Sequence, residues 1–209
     1  EIGSGLVGSE MCIRDRLYAS MGVDAADFWA QYDHMYIPEL GHNVSVTDYA
    51  HTLYIRASWT DFNPQEDVYG WKIDSNLRAY IEGAYQRNMR LAFRVVVDSR
   101  DKRTEFTPQF VKDAGAKGFM NKGKWSPYSD DPVFQKYYTK FVKALAKDFN
   151  DPSKVEFIDG FGLGKWGEYH TMIYSTGDDT PKKAVFNWVT DIYSQAFDKV
   201  PVVINYHRW

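Results

Sequence analysis

Stretches patterned like buried strands alternate with stretches of helical period along most of this chain, and that alternation limits the fold more than any other feature. Strands are expected over 52–58, 89–97, 155–158 and 200–205. The second, Met89-Arg-Leu-Ala-Phe-Arg-Val-Val-Val97, is apolar apart from Arg90 and Arg94, as strands of a covered parallel sheet are. Helices are expected between them. Asp74 and Asp131 are good N-caps, the latter with Pro132 at the first helical position, and Thr180-Pro181 reads as another such pair. Leu77, Tyr80, Ile81, Ala84 and Tyr85 share one helical face, as do Phe134, Tyr137, Tyr138, Phe141, Val142 and Leu145. An earlier helix is expected from Asp24 through Phe28, Trp29, Tyr32, Met35 and Tyr36. Strands and helices in this order make right-handed β-α-β crossovers and hence a parallel sheet.

An open doubly wound sheet and a closed eightfold barrel both satisfy that order, and the loops separate them. The glycine-rich stretch Val155-Glu-Phe-Ile-Asp-Gly-Phe-Gly-Leu-Gly-Lys-Trp-Gly-Glu-Tyr-His170 follows a strand but does not open a helix, as a dinucleotide-binding turn would. It delivers Trp166, Glu168 and His170 instead. A carboxylate, an imidazole and an indole at a strand end suit acid/base chemistry on a substrate that stacks on aromatics. The barrel is therefore expected: α/β, part of a TIM (β/α)8 barrel, ending after about strand five.

Composition narrows the partners. The 209 residues carry 25 basic and 28 acidic side chains for a net charge of −3, with no basic run to bind nucleic acid. No apolar run is long enough for a membrane span. Aromatic residues make up 17% of the chain, which fits a carbohydrate cleft as well as a packed core. Cys12 is the single cysteine, so an internal disulfide or thiolate metal cluster is impossible, and the scattered His34, His42 and His51 lack zinc spacing. No metal and no cofactor are expected. Residues 1–16 have neither period and resemble translated sequencing adapter, so 17–209 are taken as the natural domain. The compartment stays open, with a periplasmic or secreted bacterial location favoured; the oligomeric state is not readable.

Two motifs carry a family resemblance. Leu53-Tyr-Ile-Arg-Ala-Ser-Trp-Thr-Asp-Phe-Asn-Pro-Gln-Glu-Asp-Val-Tyr-Gly-Trp-Lys-Ile-Asp74 resembles a strand-to-helix segment of β-galactosidase-like barrels. Gly162-Leu-Gly-Lys-Trp-Gly-Glu-Tyr-His170 resembles a Gly-x-Trp-Gly-Glu-x-His element in uncharacterised relatives of those enzymes. The resemblance implies a retaining (β/α)8 glycoside hydrolase acting on a β-linked glycan, with an acid/base carboxylate after strand four and a nucleophile after strand seven. Glu168 falls at the acid/base place, although Gly167 stands where characterised members have Asn. Such barrels need about 250 residues, so the chain is expected to be the N-terminal half of one, inactive alone for want of the nucleophile.

Alongside Glu168, the candidate substrate-binding residues are Trp59 and Trp166 as stacking platforms, Arg94, Asp98, His170 and Asn205. Arg94, inside an apolar strand, demands a carboxylate partner, with Asp159 and Glu168 the candidates. Trp71 and Trp188 are expected in the core. A noncatalytic carbohydrate-binding barrel is the alternative function, and a nonhydrolytic α/β enzyme such as an isomerase is a third.

Overall fold

The computed structural model describes residues 16–20, 22–100 and 102–204. Asn205 and Cys12 lie outside the described residues. Five parallel strands form the main sheet: β1 (Arg16–Ser20), β4 (Thr52–Ser58), β5 (Arg90–Val96), β8 (Val155–Asp159) and β9 (Val202–Val203). Their spatial order is their chain order. With right-handed crossovers, an order that never reverses places every connecting helix on one face, which is barrel topology; a doubly wound sheet reverses at its switch point. Among the described residues no helix is long and apolar enough to cross a membrane.

Strand alternation divides the sheet into two unlike faces. Cross-strand register aligns Leu17, Leu53, Leu91 and Val155 in one row and Ala19, Ile55, Phe93, Ile158 and Val202 in another. Leu53, Ile55, Leu91, Phe93 and Val155 are wholly inaccessible. Burying each such side chain stabilises the fold by about 1.5–3 kcal/mol. Helices cover this face: α1 (Ala25–Asp33), α4 (Ser75–Gln86), α6 (Pro132–Phe149) and α7 (Lys182–Ala196). Phe149 of α6 meets Phe93 of β5 with ring centroids 4.8 Å apart. The opposite face carries Arg16, Thr52 and Arg90 in its first row, Tyr18, Tyr54, Ala92 and Phe157 in its second, and Arg56 beside Arg94 in its third. Where the sequence suggested strands buried on both faces, polar and aromatic side chains line this one.

Asp74 and Asp131 cap as expected, accepting from Leu77 N at 2.7 Å and Phe134 N at 2.8 Å. Asn88 ends α4 in the left-handed conformation that Asn tolerates. Other boundaries differ from expectation. Strand β1 was not anticipated, and it begins at Arg16, whose guanidinium lies 4.4 Å over the Phe157 ring. Helix α1 stops at Asp33, and Met35 and Tyr36 enter an antiparallel hairpin, β2 (Met35–Ile37) with β3 (His42–Val44). Met35 and Tyr36, three and four residues after Tyr32, misled the periodicity. Helix α7 starts one residue later than its cap pair implies: Pro181 is the N-cap, while Thr180 N donates to Asp178 Oδ1. The long connection after β5 holds α5 (Gln109–Asp113) and a second hairpin, β6 (Gly118–Asn121) with β7 (Lys124–Pro127), built around a Lys122-Gly123 turn with both residues at positive φ.

Candidate active site

The C-terminal ends of β4, β5 and β8 converge on one guanidinium. Arg94, third from the end of β5, points to the polar face because its neighbours Phe93 and Val95 point to the helices. It donates to Asp159 Oδ2 from Nε at 3.0 Å and Nη2 at 2.7 Å, and to Glu168 Oε1 from Nη1 at 2.8 Å. The two candidate partners are therefore both partners, bridged by one fork. Tyr54 of β4, in the row below, donates its hydroxyl to the same Asp159 oxygen. Burial and then the Asp159 charge push the Tyr54 phenol far above its ordinary pKa, so it remains a donor. Burial alone would lower the Arg94 pKa, but Tyr54, Asp159 and Glu168 more than offset it and the net shift is upward.

Glu168 arrives on the loop after β8, which folds back over the end of β5. Val97 N donates to Gly162 O at 3.0 Å. Gly162 sits at φ +74°, and a Cβ there would lie 2.4 Å from Val95 O. Only glycine lets the backbones approach so closely. Trp166, Tyr169 and Thr171 all hold positive φ, between 52° and 62°. Such strain in non-glycine residues persists where surrounding contacts over-determine it. The result turns His170 onto Glu168: Nε2 lies 3.6 Å from Oε2, while Nδ1 and Thr171 Oγ1 are 2.8 Å apart. Trp166 is 40% exposed, its ring 5.4 Å from the His170 ring and 4.7 Å below Lys165 Nζ. Arg56 of β4 donates to Trp166 O at 3.0 Å.

Arg94, Asp159, Gly160, Phe161, Gly167, Glu168, Tyr169, Phe186 and Ile204 line a small recess at this end of the sheet. Its wall carries the partly exposed Glu168 carboxylate, with His170 beside that carboxylate and Trp166 exposed on the same loop, groups able to bind a hydroxyl and exchange a proton with it. The chain resembles several solved structures in fold. It matches the exo-β-1,4-mannosidase Op5Man5 from an Opitutaceae bacterium, strain TAV5, with a TM-score of 0.57 at 15% identity over 90% of this chain.

The chain has the fold of part of a (β/α)8 barrel. A GH5_18 protein from Streptomyces cattleya in complex with GlcNAc matches with a TM-score of 0.52 at 12% identity over 91% of this chain. An endogalactoceramidase matches at 0.50 and 12% identity, also over 91%. The chain spans 31%, 44% and 48% of those three structures, about a third to a half of their length. No family model and no curated protein matches the chain. Among the described strands of the main sheet, Glu168 follows the fourth, β8.

Two candidates are corrected. Trp59 is no platform: it is wholly buried, starting the one-turn helix α2 (Trp59–Phe62). Its ring is enclosed by Phe110, Phe134, Tyr138 and Phe141, with centroids 5.1–6.4 Å away. Asp98 does not face the recess. It is 6% exposed, and its carboxylate receives Arg100 Nε at 2.8 Å and Ser126 Oγ at 3.3 Å. Arg100, two residues on, is buried as well. Trp71 lies in the core as expected, and Trp188 packs partly against it. Tyr54 and Arg56 were missed, although their alternation with Leu53, Ile55 and Ala57 marks them as the other face of the same strand.

Proposed function

We propose that this chain contributes the acid/base half of a retaining glycoside hydrolase that cleaves a β-linked glycan, with Glu168 the general acid/base. The observation carrying this reading is the placement of Glu168: on the loop after β8, the fourth described strand of the sheet, partly exposed, one oxygen anchored by Arg94 and the other beside His170. Trp166 offers an exposed ring on which a sugar face stacks, and His170 a nitrogen for a hydroxyl. Retaining hydrolysis takes a second carboxyl group about 5–5.5 Å away. Asp159 is a poor nucleophile, since one of its oxygens already accepts from Tyr54 and twice from Arg94. The second carboxylate is assigned to a later barrel strand, outside these 209 residues.

The ion pair to Arg94 favours a second reading. A carboxylate clamped by a guanidinium is held as an acceptor, which suits a barrel that binds glycan without turnover. Hydrolysis of aryl β-glycosides by the complete reading frame, with and without Glu168→Gln, separates the two. A loss of at least about 100-fold in kcat is expected. Full activity in the variant removes Glu168 from the chemistry, and glycan binding without any hydrolysis by the parent favours the binding barrel.

A further inference from the structure

A second buried ion pair, outside the recess, reaches the loop that carries Glu168. Arg100 is 8% exposed at its side chain and pairs with Asp98, Nη2 to Oδ2 being 2.6 Å. Asp98 is fixed in turn by the Arg100 backbone N–H at 2.8 Å and by Ser126 Oγ of β7, which also accepts from Ser99 N at 2.8 Å. The face of the guanidinium lies 5.5 Å from the Phe119 ring of β6. The hairpin and the end of β5 thus hold Arg100 on three sides. Its Nη2 donates to the carbonyl of Thr171 at 2.6 Å, across 71 residues of sequence.

Thr171 is the residue in this loop with the most reason to relax. It is β-branched and exposed, yet sits at φ 52°, a region β-branched residues avoid. Its hydroxyl meets His170 Nδ1 at 2.8 Å, and His170 Nε2 lies 3.6 Å from Glu168. The His170 carbonyl is held by Lys165 N–H at 3.0 Å; released from Arg100, the carbonyl of Thr171 can turn, and the Thr171 hydroxyl that meets the imidazole shifts with it.

We propose that Arg100 is a positioning residue: by gripping the Thr171 carbonyl it keeps that residue left-handed and so holds the His170 imidazole against Glu168. This rests on the reading of Glu168 as the working carboxylate of the site. Asp98 serves the clamp by orienting Arg100, which explains a buried charge pair beside a strand end that touches no substrate.

The test follows the His170 ring signals by NMR at fixed pH in the 209-residue chain, assigned with His170→Gln. In the parent, Glu168→Gln is expected to displace the His170 signal. Arg100→Met is expected to displace it too, and to abolish its response to Glu168→Gln. Arg100→Lys keeps a cation for Asp98 but lacks a second arm for Thr171, and is expected to lose most of that response; it decides the matter if Arg100→Met does not fold. A His170 signal that stays in place and keeps its full response in Arg100→Lys or Arg100→Met overturns the proposal. So does a parent in which Glu168→Gln leaves His170 unmoved. In the complete reading frame, Arg100→Lys is expected to lower kcat about tenfold with KM little changed. Hydrolysis indifferent to Glu168→Gln defeats the catalytic reading, and the NMR response still judges the clamp separately.

Discussion

Arg94 Nη1 lies 2.8 Å from Glu168 Oε1, and the same guanidinium grips Asp159 with its other two nitrogens. One side chain that is only 14% exposed ties β5 to the end of β8 and to the loop after it, and Tyr54 of β4 joins through Asp159. Arg94→Met leaves two carboxylates facing each other without a cation, and a loss of about 3 kcal/mol in urea unfolding is expected. Arg94→Lys should lose less, because an ammonium keeps the charge but cannot span both carboxylates. Equal losses for Met and Lys would mean that packing, not charge, sets the role of Arg94.

Trp59 and Trp166 should behave as opposites. Trp59→Ala empties a fully buried aromatic site and is expected to cost about 3–5 kcal/mol of stability. Trp166→Ala should change stability by no more than about 0.5 kcal/mol. It should nevertheless weaken binding of β-linked oligosaccharides by about 1 kcal/mol, roughly fivefold, in titration calorimetry. Unchanged glycan affinity in Trp166→Ala would remove the platform.

Tyr54 makes a prediction at alkaline pH. Its phenol is held protonated in the fold by burial and by Asp159, while in the unfolded chain it ionises near about pH 10. Above that value the native state binds more protons than the unfolded one, so this contribution to stability is present below about pH 10 and falls as pH rises. Tyr54→Phe should lose about 1.5–3 kcal/mol at pH 7 through the missing charge-assisted hydrogen bond. Its denaturation midpoint should also decline less steeply than the parent's between about pH 9 and 11. Parallel declines would show that other tyrosines carry the alkaline sensitivity.

Gly162→Ala tests the seat of the loop. A methyl group would meet Val95 O and the Tyr138 hydroxyl, at a φ that L-residues resist. A destabilisation above about 2 kcal/mol is expected, with the His170 NMR signal displaced as the loop lifts from β5. A variant with parent stability would mean that the loop has room to shift.

From β4 onward the main strand and helix alternation and the aspartate caps were legible in the chain, because periods of 2 and 3.6 and capping chemistry act within a few residues; β1 and the β2–β3 hairpin were not. Glu168, His170 and Trp166 were legible as a group for the same reason: five residues of one loop carry them. Local pattern also determined that Arg94 needed an acid. It could not say that Asp159 and Glu168 share it, since those contacts span 65 and 74 residues and depend on the register of three strands. Nor could it separate Trp59 from Trp166. Both follow strands, but the crossover that lays α6 along the sheet encloses the first in aromatic rings, while backbone strain in a glycine-rich loop leaves the second at the surface. The same long-range packing turned Asp98 and Arg100, adjacent charges after a strand, inward as a buried pair. Sequence set which groups were present and on which face of each strand. Tertiary structure decided which of them meet, because burial and charge pairing are fixed only when distant segments pack.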